Sequence, residues 1–296
     1  MFRNTKLFVL VFIGAAFAGC RTVPNNAVTA FSSAVSTAHT QSQEALAAVN
    51  AMMAESSLDF AAGQPTLNEA SFAAGLDQDS LQAWDDIFAE LEKYAHHLQA
   101  VTSPDIAKQF EDESVNLSTE LKGFGDHLQQ AGLAGKSPSI PPSIATGFVE
   151  LGSLIIRAQA QAKALKAMAG ADTNVVHIFR TMADSIGSST AHGIRGTVHA
   201  HWNQLLDAQT TAFLGATDSN AKRQIASAFR DLLQRRDAQD LVLASLRRSL
   251  LELANLHHAL AQGETWTAQA ALSAIAGEIQ RTRDLNDRFS NKPSGK

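Results

Sequence analysis

Apolar residues spaced alternately three and four positions apart form a long stripe that begins near residue 28. The members of the first stripe are Phe31, Val35, Ala38, Ser42, Ala45, Val49 and Met52. This spacing places one apolar face along a helix of about forty residues, whereas a strand would alternate with period two. The pattern therefore predicts a long amphipathic helix that must bury this face against other elements.

Stripes of the same kind recur along most of the chain. They cover residues 81–98, 110–128, 144–165, 173–214, 218–260 and 265–289. β-Branched and aromatic residues are too sparse to supply many strands. Long helices joined by short turns run antiparallel to their neighbours. The sequence therefore predicts an all-α fold, an elongated antiparallel bundle of about six to seven helices.

The expected helix ends follow from local chemistry. Asp79 stands three residues before Gln82 and is expected to cap the second helix. Asp172 or Thr173 is expected to cap a fifth helix that runs to about residue 214, and Gly263 to end the sixth helix.

The first nineteen residues have the composition of an export signal. Arg3 and Lys6 precede an uncharged run from Leu7 to Gly19, which is shorter than the roughly 20 residues that a spanning helix needs. A basic start, a short apolar core and small residues at its end predict a leader that is removed from the mature protein. Cys20, the only cysteine in the chain, follows directly.

The ending FAGC at residues 17–20 resembles the lipobox of bacterial lipoproteins, with phenylalanine in place of the usual leucine. The resemblance implies cleavage between Gly19 and Cys20, and fatty acyl chains on Cys20 that anchor the protein to a membrane. Arg21 after the cysteine, rather than aspartate, implies the outer membrane, with the protein facing the periplasm. The alternative is an ordinary cleavable signal that uses the AFA sequence at 16–18.

The remaining residues, 20–296, are expected to form a single helical-bundle domain. The segment AGLAGKSPSIPPS at 131–143 is the clearest linker because its glycines, serines and prolines interrupt the helical pattern. A minor domain boundary at this linker is the alternative.

Charge is distributed unevenly. The formal net charge is −5, and the loss of Arg3 and Lys6 takes it to −7, which disfavours nucleic acid as a partner. Residues 77–120 hold eleven acids and two lysines, whereas residues 218–260 hold seven bases and five acids. These segments are expected to pair side by side, to remain solvated, or to offer the acidic one as a docking face for a cationic partner.

Histidine is the most abundant candidate for chemistry, with ten residues. His192 and His199 are two helical turns apart on nearly one face and are the weak candidates for a metal site, but no HxxxH or HExxH motif occurs. Ordinary surface or interface histidines are the alternative. The pairs at 96–97 and 257–258 are expected near helix ends, where imidazolium meets the negative end of the helix dipole.

The chain contains no motif for a nucleophilic, phosphate-binding or dinucleotide-binding site. The sequence therefore predicts a lipid-anchored envelope protein that acts non-enzymatically in protein interaction, as a scaffold or as an accessory component, without a cofactor. Its expected partners are the membrane, through the lipid on Cys20, and another envelope protein. The alternatives are a histidine-based metal or ligand binding module, an immunity-type inhibitor of an envelope-targeting toxin, and an enzyme whose site combines scattered helical residues.

Overall fold

The computed structural model of the protein describes residues 25–62, 66, 76–101, 110–133, 141–159 and 164–290. These residues form α1 (Asn25–Ala62), α2 (Gln78–Val101), α3 (Phe110–Leu133), α4 (Pro142–Gln159), α5 (Ala164–Ile186), α6 (Gly193–Gly215), α7 (Ser219–Ala261) and α8 (Thr265–Ser290). No strand occurs in these ranges, and the predicted all-α class is confirmed. The leader and Cys20 lie outside the described residues.

The first stripe lines the inner face of α1. Phe31, Val35, Ala38, Ala45 and Val49 are wholly buried, as the three-and-four spacing predicts. At 38 residues and 1.5 Å per residue, α1 is about 57 Å long. A helix of this length owes its stability mainly to the burial of that face against its neighbours.

Helices α1 and α7 lie side by side and run in opposite directions. Near the start of α1, the Phe31 ring packs edge-on against His257 with ring centroids 5.4 Å apart. Further along α1, the backbone oxygen of Val49 accepts a hydrogen bond from Gln239, which lies earlier in α7. The start of α1 therefore lies beside the end of α7.

The cap of α2 is Asp77 rather than the predicted Asp79. The carboxylate of Asp77 accepts hydrogen bonds from the Ser80 amide at 2.8 Å and from the Ser80 hydroxyl at 2.6 Å. Asp79 lies in the first helical turn, where a carboxylate still interacts favourably with the helix dipole. The cap thus lies two residues before the predicted one, and the helix starts at Gln78.

The fifth helix predicted from the sequence is two helices, α5 and α6. Gly187 and Gly193 adopt φ angles of 103° and 62° between them, a conformation that residues with a side chain rarely adopt. A Cβ atom at Gly187 would stand 1.9 Å from the backbone oxygen of His192. The chain therefore turns sharply here, and Asp172, a predicted cap, lies inside α5. This division contributes to eight helices in the described residues, against the predicted six to seven.

Helix α7 is the longest element, with 43 residues and a length of about 64 Å. Asp218 caps its start by accepting a hydrogen bond from the Ala221 amide at 2.9 Å. Its end lies just before Gly263, which has a φ of 72°, as predicted. Helices α1, α5, α6 and α8 all pack against α7, so this helix lies at the centre of the helical bundle.

The helices that flank the predicted linker pack against each other. Ser118 of α3 donates a hydrogen bond of 2.6 Å to the backbone oxygen of Gly152 in α4. A Cβ atom at Gly152 would stand 2.7 Å from the backbone oxygen of Ser118. Glycine at this position therefore permits the close crossing of α3 and α4. Residues 134–140 of the linker lie outside the described residues.

Candidate functional site

The two weak candidates for a metal site, His192 and His199, lie in the first turns of α6 or just before it and contact their own neighbours. His192 is the residue before α6, and its Nδ1 atom lies 3.1 Å from the Ser189 hydroxyl. The Nδ1 atom of His199 lies 3.2 Å from the Asn203 side-chain amide one turn further on. Across the described ranges, no group of three or more histidine, cysteine or acidic side chains is arranged to hold a metal ion.

The pair His257 and His258 takes part in a buried polar network that sequence reasoning missed. The Nδ1 atoms of both rings contact one carboxylate, that of Asp172, at 3.1 and 2.6 Å. The Nε2 atom of His257 lies 2.9 Å from the Tyr94 hydroxyl. We call Tyr94, Asp172, His257 and His258 the Tyr–His–Asp network. It joins α2, α5 and α7.

The proton positions in this network follow from the chemistry of its groups. An ionised carboxylate only accepts, so the Nδ1 of His257 donates to Asp172. The neutral ring then has a free lone pair on Nε2, which accepts the hydrogen bond donated by Tyr94. Every hydrogen-bonding atom of the buried ring is satisfied in this arrangement, as the interior of a protein requires.

Burial and charge determine the ionisation of the network. Burial lowers the pKa of His257, although Asp172 opposes this effect. Burial raises the pKa of Tyr94, and the charge of Asp172 raises it further. Burial also acts to raise the pKa of Asp172, but hydrogen bonds from the two histidines outweigh it, so that pKa is lowered overall. Of the network, Asp172 is thus an ionised carboxylate, His257 a neutral ring and Tyr94 a neutral hydroxyl.

The order of donors resembles the hydrogen-bonded chain of a catalytic triad, but its innermost groups are enclosed. Tyr94 is 1% exposed and His257 is 0% exposed, so a substrate has no access to either in this structure. The arrangement can hold three helices in register because each hydrogen bond joins different elements. Its direct chemical contribution is stability and specific packing.

A groove of about 590 Å³ opens between α1, the first turns of α2 and α6, and the start of α4. Its floor is apolar, with Leu46, Leu81 and Ile194, and hydroxyl groups such as those of Ser185 and Thr197 lie along it. The only carboxylate in the lining belongs to Asp77, which already caps α2. The groove has room for a small molecule but lacks a convergent set of acid, base and nucleophile.

The outer parts of α6 and α7 form a two-helix extension that contains no fully buried side chain. We call residues 207–231 the arm. The buried residues of α6 end at Leu206, and those of α7 begin at Leu232. Ile225 and Phe229, which lie in the predicted 218–260 stripe, are only half-buried. Phe229 still packs against the edge of the hydrophobic core.

Two large apolar side chains lie at the end of the arm. Leu214 is 78% exposed and Phe213 is 38% exposed. The Lys222 ammonium lies 5.4 Å from the centre of the Phe213 ring, close enough for a cation–π contact. The end of the arm thus combines an exposed apolar pair with a cation.

The bases of α7 pair with acids other than those expected from the sequence. Arg247 and Arg248 face Asp184 in α5 and Glu278 in α8, at 3.6 and 2.8 Å. On the acidic α2, Glu90 pairs with Lys93 of the same helix. The predicted pairing of the acidic 77–120 segment with α7 is therefore wrong for these residues. Packing order, not net segment charge, decides which helices are neighbours.

Comparisons with known proteins give no match: no protein-family model, no curated protein and no solved structure is similar to the chain. Within the described part of the chain, no helix combines the length and the apolarity that crossing a membrane requires.

Proposed function

We propose that the protein is a lipid-anchored component of the cell envelope that binds another envelope protein without catalysing a reaction. In this proposal Cys20 carries the acyl chains, and the bundle faces the periplasm from the outer membrane. The protein acts as a scaffold or accessory component. The helices form an elongated antiparallel bundle that holds an interaction surface away from the membrane.

The observation that carries this proposal is the placement of the two ends of the molecule. Asn25, the first residue of α1, is five positions after Cys20. Because α1 and α7 run in opposite directions, the start of α1 lies beside the end of α7. The arm contains the start of α7, at the other end of that helix. A tether at Cys20 therefore leaves the arm about 50 Å from the anchored end, judged from the 35 residues between Lys222 and His257.

The interior of the bundle supports a binding role. Tyr94 and His257 of the Tyr–His–Asp network are enclosed and form hydrogen bonds between helices, and the groove at Asp77 lacks a convergent catalytic set. The arm, by contrast, holds its helical form with no buried side chain. Apolar groups that remain exposed in a folded protein commonly mark a surface for interaction.

The proposal is tested by metabolic labelling with a palmitate analogue, comparing wild type with Cys20→Ala in the native cells. We expect label in the wild type only, and we expect Cys20→Ala to leave the membrane fraction. Crosslinking of intact cells should then recover a reproducible partner for the wild type. Unlabelled wild-type protein that is free in the soluble fraction would contradict the anchor. Crosslinking that recovers no partner would contradict the binding role.

A further inference from the structure

We infer that the end of the arm is a docking surface for a second protein whose matching surface is an apolar pocket with an acidic rim. The surface consists of Phe213, Leu214, Lys222 and Arg223. This inference rests on the proposed function, because it names the part of the molecule that meets the partner and the chemistry that the partner offers.

The two apolar residues of this surface do not stabilise the fold through burial. Leu214 at 78% and Phe213 at 38% are adjacent in the chain, and residues 208–217 contain no charged side chain. Neither residue contributes to the core, so their exposure gives no stability to the bundle. Binding hot spots commonly consist of an aromatic or aliphatic anchor that enters a pocket on the partner. The adjacent phenylalanine and leucine provide such an anchor.

The charges beside this anchor select the partner. Between residues 208 and 229 the charged side chains are Asp218, Lys222 and Arg223. The Asp218 carboxylate is engaged by the Ala221 amide, whereas Lys222 lies over the Phe213 ring. The arm as a whole has three acids and three bases, but its end, residues 208–229, has a net charge of +1, whereas the whole chain has a net charge of −5. A partner with acidic groups around the pocket is attracted and oriented by these cations.

The arm is ordered before it binds. Asp218 caps α7, the Ala216 amide bonds to the Ala212 oxygen at the end of α6, and Lys222 contacts Phe213 across the turn. At its base, the Trp202 indole donates to Gln239, which in turn donates to Val49 of α1. The anchor is thus presented by a fixed hairpin, which reduces the entropy lost on binding.

Two other occupants fit the end of the arm less well. The membrane that holds Cys20 lies at the opposite end of α7, and one phenylalanine and one leucine give little apolar area for lipid insertion. A second copy of this chain would have to offer the acidic residues of α2. Of these, Asp85 already contacts His39 at 2.8 Å and Glu90 contacts Lys93 at 2.8 Å. A separate protein with acidic groups around its pocket matches Lys222 and Arg223 at the end of the arm better.

The experiment places a photo-crosslinking amino acid at position 214 in the full-length chain and irradiates the native cells. Leu241, which is 47% exposed on α7 but outside the arm, carries the same photo-crosslinking amino acid as the control. We expect a crosslinked protein from position 214 that is missing from position 241. Mass spectrometry identifies the protein and the crosslinked peptide, which should lie in an apolar pocket with acidic neighbours.

Charge reversal then tests the chemistry with the purified pair. We expect the double variant Lys222→Glu/Arg223→Glu to weaken binding at least tenfold, with the largest change at low salt. Arg283→Glu, an exposed reversal on α8, should leave affinity within twofold. Leu214→Asp should weaken binding at least tenfold and Leu241→Asp should not. Circular dichroism of each variant establishes that the helices and the melting temperature are retained.

Several results overturn the inference. These are crosslinks from position 214 that match those from 241, crosslinks to phospholipid or to a second copy of the chain, and affinity that charge reversal leaves unchanged. A partner captured from position 241 but not from position 214 would overturn the docking surface while the proposed function stands. Wild-type protein without lipid on Cys20 would overturn the proposed function even if the arm binds its partner.

Discussion

The two ends of α7 differ in what keeps them helical. From Leu232 to Ala261 this helix contributes sixteen buried residues to the core, among them the fully enclosed polar groups Gln239 and His257. Its first thirteen residues, within the arm, contribute none. One continuous helix therefore contains a longer part that other helices cover and a shorter part supported mainly by its cap and by α6. Since most helical stability comes from packing, the two parts should respond very differently to the same substitution.

The largest contrast is expected from removing a phenylalanine ring in each region. Phe179 of α5 is 0% exposed and Phe213 of the arm is 38% exposed. Phe179→Ala should lower the free energy of unfolding by about 3–5 kcal/mol because it leaves a cavity in the core. Phe213→Ala should cost less than about 1 kcal/mol. Urea unfolding followed by circular dichroism measures both, and equal losses would show that the arm belongs to the core.

The Tyr–His–Asp network should give the next largest effect. Asp172→Ala removes the acceptor for two histidines and leaves the buried N–H of His257 without a partner, at a cost of about 1–3 kcal/mol. The matched control is Asp184→Ala on the same helix, because Asp184 is 74% exposed and its nearest cation, Arg247, is 3.6 Å away. An exposed pair of this kind contributes at most about 1 kcal/mol.

Unfolding curves for these two variants decide whether the network stabilises the bundle. If Asp172→Ala is as stable as Asp184→Ala, the network adds nothing beyond what water would provide. The difference in stability between the arm and the rest of the bundle would then depend on apolar burial alone.

Acid should destabilise the part of the bundle outside the arm, which we call the body, through its buried histidines. Burial lowers the pKa of His97 to about 4, and it lowers the pKa of His257 too. A histidine in the unfolded chain titrates near 6.5, so below that pH the unfolded state binds a proton that the folded state excludes. Stability is complete above about pH 6.5 and falls toward pH 4, by at most about 1.4 kcal/mol per pH unit for each ring.

His97→Gln should therefore flatten the dependence of unfolding free energy on pH between 6.5 and 4. Ser114→Ala is the control, because it removes the hydroxyl 3.1 Å from the His97 Nε2 atom but keeps the titrating ring. This variant should lose some stability at every pH and keep the slope of the wild type. A His97→Gln slope that matches the wild type would contradict the prediction. The arm, which has no histidine, should not take part in this dependence.

The smallest effect is expected at the cap of α7. Asp218→Ala removes the hydrogen bond to the Ala221 amide, which is worth about 1 kcal/mol to the first turn of a helix. Because the core begins only at Leu232, this loss should appear as faster amide hydrogen exchange in residues 219–225 with an unchanged urea midpoint. Asp207→Ala, in the same arm, is the control and should leave that exchange unchanged. A shifted midpoint for Asp218→Ala would mean that the arm unfolds together with the body.

The helical class and the longest helices follow from the sequence because burial of one face leaves a regular apolar spacing. The break between α5 and α6 does not follow so directly, because a glycine such as Gly187 or Gly193 is compatible with a bend in a helix and with the end of a helix. Only the positive φ angles at Gly187 and Gly193 show that a helix ends here. Asp172 was predicted as a cap because it follows Gly170 and acidic residues suit a helix start, but it lies inside α5.

The buried network left a signal that could have been found. The α7 stripe runs through Leu246, Leu250, Leu253 and Leu260, and the missing member at the three-and-four spacing is His257. A histidine in a core register predicts a buried ring with two polar partners, but not which ones. Tyr94 and Asp172 lie on helices far away in the sequence, so only the packing of α2, α5 and α7 reveals them.

The placement of α1 between late parts of the chain has a consequence for how the protein is made. Its Gln41 side chain donates to Thr282, 241 residues further on, and its Val49 oxygen is bonded by Gln239, 190 residues further on. During synthesis, the part of the apolar face of α1 that packs against α7 and α8 therefore stays exposed until these helices have been made. A nascent chain that stops before α7 would leave this face of α1 accessible to chaperones and proteases. Burial of the first helix therefore distinguishes a finished chain from an unfinished one.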